Sequence, residues 1–147
     1  MPSALKFADE EWPKYYGGET FNGFGIPWHE IVDPKLADPD LFNLAIWQKI
    51  DGQNVLAALA IGNPSHARTH LTIKWVERFY GHTHIEGRVL WVILTCAEEY
   101  AKLIGCERIL IKDPLAPHKY ERYGYTAYRH PYVAHGGSYL AKELGND

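Results

Sequence analysis

Between His70 and Lys112 an alternating segment, a long amphipathic segment and a short β-branched segment follow one another with brief joins. In His70–Arg78, Leu71, Ile73 and Trp75 are expected on one side of a strand, with Thr72 and Lys74 on the other. Leu90, Ile93, Leu94, Ala97, Ala101 and Ile104 then draw a wide apolar stripe along one face of a helix. Gly105 supplies the helix stop. Arg108–Lys112 (RILIK) reads as a second strand. Strand, helix and strand with short joins imply a parallel pair with a right-handed crossover.

The flanking segments add antiparallel pieces to that unit. Leu44–Ile50 and Val55–Ile61 are apolar runs separated by Asp51-Gly52-Gln53-Asn54, which predicts a β-hairpin. Asn63-Pro64-Ser65 closes the second run. Pro114–Arg122 suits one or two helical turns, and Tyr125–Arg129 and Ser138–Lys142 a final pair of strands. The first forty residues are rich in turn formers, with short helices expected at Glu10–Tyr16 and Trp28–Val32. The whole predicts an α/β (α+β) fold, with a mixed, mostly antiparallel sheet around a central β-α-β unit. A chain of 147 residues suits one domain over 1–147.

Composition excludes several classes of partner. With 46% hydrophobic and 22% charged residues the chain is expected to be globular. A net charge of -3 gives no reason to expect nucleic acid or an anionic membrane. No run is long and apolar enough to span a bilayer, and acids stand where a leader would be apolar, so a cytoplasmic protein is expected. Cys96 and Cys106 match neither a disulfide framework nor a zinc spacing. Five Trp and ten Tyr, many of them near the two ends of the chain, suggest a walled pocket or an interface.

The join between the third strand and the long helix reads Tyr80-Gly81-His82-Thr83-His84-Ile85-Glu86-Gly87. Thr83 and Glu86 have capping-box spacing, which places the helix start there. A helix N-terminus after a parallel strand presents free N–H groups and a positive dipole end to a phosphate. Gly81 and Gly87 would let such a ligand approach the backbone. An ordinary capped helix carries the same pattern.

The order of elements from Val55 to Leu144 resembles the GCN5-related N-acetyltransferase (GNAT) superfamily. In that family a [QR]-x-x-G-x-[GA] loop opens the helix, and His82–Gly87 is its counterpart here. His82 stands in place of the Gln or Arg, and Ile85 in place of the first Gly. The family's Y-E-x-x-G-[FY] motif is matched by Tyr120-Glu121-Arg122-Tyr123-Gly124-Tyr125. The chain looks most like divergent GNAT-like proteins encoded by phages, including the PWHE segment Pro27–Glu30. The resemblance implies acetyl-CoA or coenzyme A as cofactor. Its pantetheine would lie against the backbone near Val76 and Arg78, and its diphosphate against the amides of His82, Thr83, His84, Ile85, Glu86, Gly87 and Arg88.

The resemblance also implies a catalytic role for Tyr120, as the acid that protonates the departing thiolate. A phenol suits a thiol leaving group, and Tyr123 is the substitute. The bland alternative is an aromatic packing a sheet edge. Glu77 is a candidate base because it would continue the Leu71/Ile73/Trp75 face, although glutamate at a strand end is ordinarily solvated. His29 and Glu30 are alternative bases. His82 and His84 form an H-x-H pair with no third ligand at a motif spacing, so no metal is expected. Two functions follow. One is acetyl transfer to a primary amine of a small molecule or protein. The other is a catalytically weak or silent GNAT-fold protein that seizes a host protein through its aromatic N-terminal surface. Oligomeric state stays open, a homodimer included.

Overall fold

A six-stranded sheet in the order β1-β2-β3-β4-β6-β5 forms the middle of the molecule. The computed structural model describes residues 2–15, 27–32, 38–79, 88–129 and 138–145. Its elements are α1 (Pro2–Glu10), α2 (Trp12–Tyr15), α3 (Trp28–Ile31), β1 (Phe42–Ile50), β2 (Gln53–Pro64), β3 (His70–Arg78), α4 (Val89–Leu103), β4 (Arg108–Lys112), α5 (Pro117–Glu121), β5 (Thr126–Tyr128) and β6 (Tyr139–Glu143). β3 and β4 run parallel, and the other neighbouring strands pair antiparallel. The mixed, mostly antiparallel sheet expected from the sequence is thus present, with its central β-α-β unit.

The β1–β2 hairpin turns on two residues rather than the four expected, because Ile50 already pairs with Gln53. Asp51 and Gly52 both have positive φ, 51° and 78°, the primed-turn geometry that matches the twist of a two-residue hairpin. α4 begins at Val89 with Arg88 as its N-cap, not at the Thr83–Glu86 capping box, which lies outside the described residues. Its end is as predicted. Gly105 adopts φ +86°, Cys106 N–H donates to Ala101 O at 2.8 Å and Gly105 N–H to Lys102 O at 3.1 Å. That pair of bonds is a Schellman cap, which satisfies carbonyls the helix leaves open.

Two register shifts decide which side chains meet. Ile46 pairs with Ala58 and Trp47 with Leu56, so Ala57 is an inserted residue in β2. Ile61 pairs with Trp75 and Gly62 with Ile73, so Lys74 is an inserted residue in β3. Each inserted residue resets the alternation of side chains along its strand. Leu71 and Ile73 therefore pack with α4, whereas Trp75 packs with the N-terminal helices on the other face. The single face expected for Leu71, Ile73, Trp75 and Glu77 does not exist.

The sheet separates two apolar clusters. One joins Ala58, Ala60, Leu71, Ile73, Ile109 and Ile111 to Ile93, Leu94, Ala97 and Ala101 of α4. The other joins Leu56, Leu59 and Ile61 to Ala4, Ala8, Trp12 and Trp28. β2 reads as a continuous apolar run because both of its faces are covered. α1 precedes the short helices expected at Glu10–Tyr16 and Trp28–Val32, and Ala4 and Ala8, one helical repeat apart, are its buried contacts.

Candidate functional site

β3 and β4 stay paired only from His70–Arg108 to Ile73–Ile111. β4 ends one residue later, at Lys112, while β3 continues to Arg78. The two strands separate just where Lys74 is inserted. Beyond that point lies a cavity of about 530 Å³, lined by Ile73, Val76 and Arg78 of β3, Val89, Leu90 and Ile93 of α4, and Lys119 and Tyr120 of α5.

Backbone direction follows from the register. Phe79 N–H donates to Ala57 O at 2.9 Å, so residues 79 and 77 turn their amide groups toward β2. Val76 and Arg78, one step out of phase, turn theirs away from β2 toward the gap. The strand positions expected to meet a pantetheine arm therefore face the cavity. The first turn of α4 closes one side, bringing the positive end of a 15-residue helix to the same space. Arg88 is the N-cap of that helix, and His82, Thr83, His84, Ile85, Glu86 and Gly87 lie outside the described residues.

Tyr120 is part-buried against the α4-side cluster and lines the cavity. Its ring meets Tyr125 edge-to-face, with centroids 6.3 Å apart. Burial pushes its hydroxyl above the usual phenol value. Tyr123 also packs on that cluster but does not line the cavity. Tyr125 is fully buried, and its hydroxyl has no hydrogen-bond partner among the described residues.

Glu77 is not the solvated strand end its residue type suggests. It is 6% exposed, and its carboxylate accepts a hydrogen bond from Trp28 Nε1–H across 49 residues of sequence. Burial pushes its pKa up to about 7; the Asp9 charge adds to the rise and the Trp28 bond opposes it. Glu77 does not line the cavity. It meets the sheet from the face of the N-terminal helices, opposite the α4 face on which Tyr120 packs.

Asp9 builds the setting around Trp28. It accepts Trp28 N–H at 2.6 Å and His29 N–H at 3.0 Å, and its Oδ2 lies 2.8 Å from His29 Nδ1. Those bonds tie α3 to α1. His29 and Glu30, the alternative bases, are exposed. The sequence reading missed Lys74 as an inserted residue, and Lys112 and Lys119 as wall residues. A signal existed: Trp75 and Val76 are adjacent apolar residues where strict alternation allows one.

No family model and no curated protein matches this chain. Solved structures do. The chain is similar to GCN5 from Tetrahymena, with TM-score 0.64 and 12% identity over 98% of this chain and 88% of that one. It is similar to the aminoglycoside 6′-N-acetyltransferase from Enterococcus faecium, with TM-score 0.63 and 12% identity over 100% and 94%. An acetyltransferase from Bacillus cereus aligns with TM-score 0.50 and 23% identity over 78% and 81%. Mixed sheet, parallel β3–α4–β4 unit and these likenesses agree: the chain has the fold of the GCN5-related N-acetyltransferases.

Proposed function

We propose that this chain is an acetyl-CoA-dependent N-acetyltransferase acting on a primary amine. The observation that carries the reading is the separation of β3 from β4, which turns the Val76 and Arg78 backbone toward a cavity walled by the α4 N-terminus and Tyr120. A strand edge suits the two amides of a pantetheine arm, and a helix N-terminus suits a diphosphate. The residues present therefore fit coenzyme A. Val76 and Arg78 would hold the arm, with the amides of the segment from His82 to Arg88 holding the phosphates.

Bound there, acetyl-CoA supplies an acetyl group activated as a thioester. Tyr120 holds a proton for the departing sulfur, and its raised pKa keeps the phenol protonated at neutral pH. Glu77, with a pKa near 7, is partly ionised at neutral pH and takes the proton of the incoming amine. Trp28 Nε1–H fixes the direction of that carboxylate. Glu77 lies on the opposite face of the sheet and outside the cavity wall, so the amine's proton reaches it through an intervening water rather than by direct contact. Orientation of the reactants supplies much of the rate in such a site.

The acceptor is an amine of a small molecule or a protein. The rival reading, a phage-type protein that grips a host protein through N-terminal aromatics, loses support from burial. Trp12 and Trp28 are each 2% exposed. Native mass spectrometry with acetyl-CoA and coenzyme A tests the assignment, followed by Tyr120→Phe. Binding should persist in the variant while turnover falls by about 10²-fold or more. No complex at millimolar ligand, or turnover indifferent to the hydroxyl, sinks the reading.

A further inference from the structure

We propose that Lys74 is itself an acyl acceptor, taking the acyl group of a thioester held between β3 and β4. The inference rests on the acyl-CoA reading of the cavity. Lys74 is the residue inserted at the β3 bulge, immediately beyond the last β3–β4 pair, Ile73–Ile111, and it lines the cavity together with Tyr120. Lys112, the residue after Ile111 on β4, lines the same cavity. With Lys119 of α5, three ammonium groups and the Arg78 guanidinium thus line one cavity.

Lys14, Lys102 and Lys142 each pair with a glutamate, at 3.1, 3.6 and 2.5 Å. Among the described residues Lys74 has no such partner. Asp113 also lines the cavity, but its Oδ1 accepts Ser138 N–H at 2.9 Å. Lost hydration at the cavity wall, and then the charge of Lys112, lower the Lys74 pKa from the ordinary lysine value. A larger share of Lys74 is therefore a neutral amine, the form that attacks a carbonyl.

The step balances with no further reactant. Lys74 Nζ forms a bond to the thioester carbonyl carbon, the carbon–sulfur bond breaks, and the sulfur leaves with its electron pair. The proton shed by nitrogen ends on the thiol. The products are an acylated lysine and free coenzyme A. The resulting amide is uncharged, which removes the repulsion with Lys112 and leaves the acyl group in the space a second donor needs. Self-acylation is then a brake on the site.

Two measurements test this on the full chain. In the ligand-free protein, trace labelling of lysines with acetic anhydride across pH should show Lys74 titrating below Lys6 and Lys49, which are exposed and outside the cavity. After incubation with acetyl-CoA, peptide mass spectrometry should find Lys74 acetylated about tenfold or more faster than those two, as proximity dictates. Excess coenzyme A should suppress the Lys74 product and leave the outer lysines unchanged. K74R should abolish that product with an unchanged Tm. Equal rates across all lysines overturn the proposal. If acetyl-CoA binds and Lys74 stays unmodified, this inference fails while the transferase reading stands; if nothing binds, both fail.

Discussion

Glu77 carries the most testable electrostatics in the molecule. Its carboxyl is buried, held by one indole N–H, and titrates near pH 7 rather than at the ordinary 4.5. A raised acid pKa means the folded state binds the proton more tightly than the unfolded chain. Stability linked to this group is full below about pH 4.5 and is lost as pH rises through 7. Glu77→Gln keeps an acceptor for Trp28 and cannot ionise. It should raise stability on the order of 1–3 kcal/mol at pH 8 and have little effect at pH 4.5, as read by denaturant unfolding at the two values. If Glu77 is also the base, the rising limb of the pH–rate profile near 7 should vanish in the same variant. Tyr125 is a second case. Its hydroxyl is buried with no hydrogen-bond partner among the described residues, so Tyr125→Phe should hold or raise Tm, by up to about 1 kcal/mol in stability. Neither environment was readable from sequence. The residue types were visible as candidates, but Trp28 reaches Glu77 from 49 positions away, and no local pattern reports such a contact.

At the scale of the element, the β3 bulge determines the site. Gly62 stands opposite Ile73, and a β-carbon there would sit 2.8 Å from Ile73 Cδ1 and 3.1 Å from the Thr72 carbonyl. The first atom is the end of a buried side chain and the second is backbone, so one of them must shift. Gly62→Ala should cost about 1–3 kcal/mol by overpacking and weaken acetyl-CoA binding, because Ile73 forms the vertex of the cavity. Calorimetry on the variant reads both effects. An unchanged affinity would show that the vertex is not what shapes the ligand site. α4 was legible almost in full: its stripe, its glycine stop and the strand after it all have local causes. β3 was legible in extent, and its side-chain directions were not. Periodicity predicts one face for Leu71, Ile73 and Trp75, and a single inserted residue moves Trp75 to the other. The helix start differs from the expectation: α4 begins at Val89 after Arg88, while Thr83 and Glu86 lie outside the described residues.

Over the whole molecule, the sheet keeps two jobs apart. The α4 face holds the cavity, and the opposite face holds α1, α2 and α3 over Leu56, Leu59 and Ile61. The N-terminal layer was the least legible part. α1 is only nine residues long, with Ala4 and Ala8 buried and Leu5 and Phe7 packed beside them, and the layer's docking relies on tryptophans whose partners are distant in sequence. Trp12 is the anchor. It is 2% exposed, stacks on Phe79 at 6.2 Å, and its Nε1–H donates to Leu56 O at 3.0 Å. That carbonyl lies beside the Ala57 insertion, where the regular ladder of β2 is interrupted. Trp12→Phe retains an aromatic ring against Phe79 but removes the donor, leaving a buried carbonyl without it. The expected cost is about 1–3 kcal/mol, seen as a lower Tm. Among the described residues the cavity has none from this layer in its wall, so the rise in Tm on adding saturating acetyl-CoA should be the same in variant and parent. An equal rise separates the stabilising layer from the binding face. A rise that disappears with the tryptophan hydrogen bond would mean that α1 reaches the ligand through Trp28 and Glu77, and that the two faces of the sheet act as one.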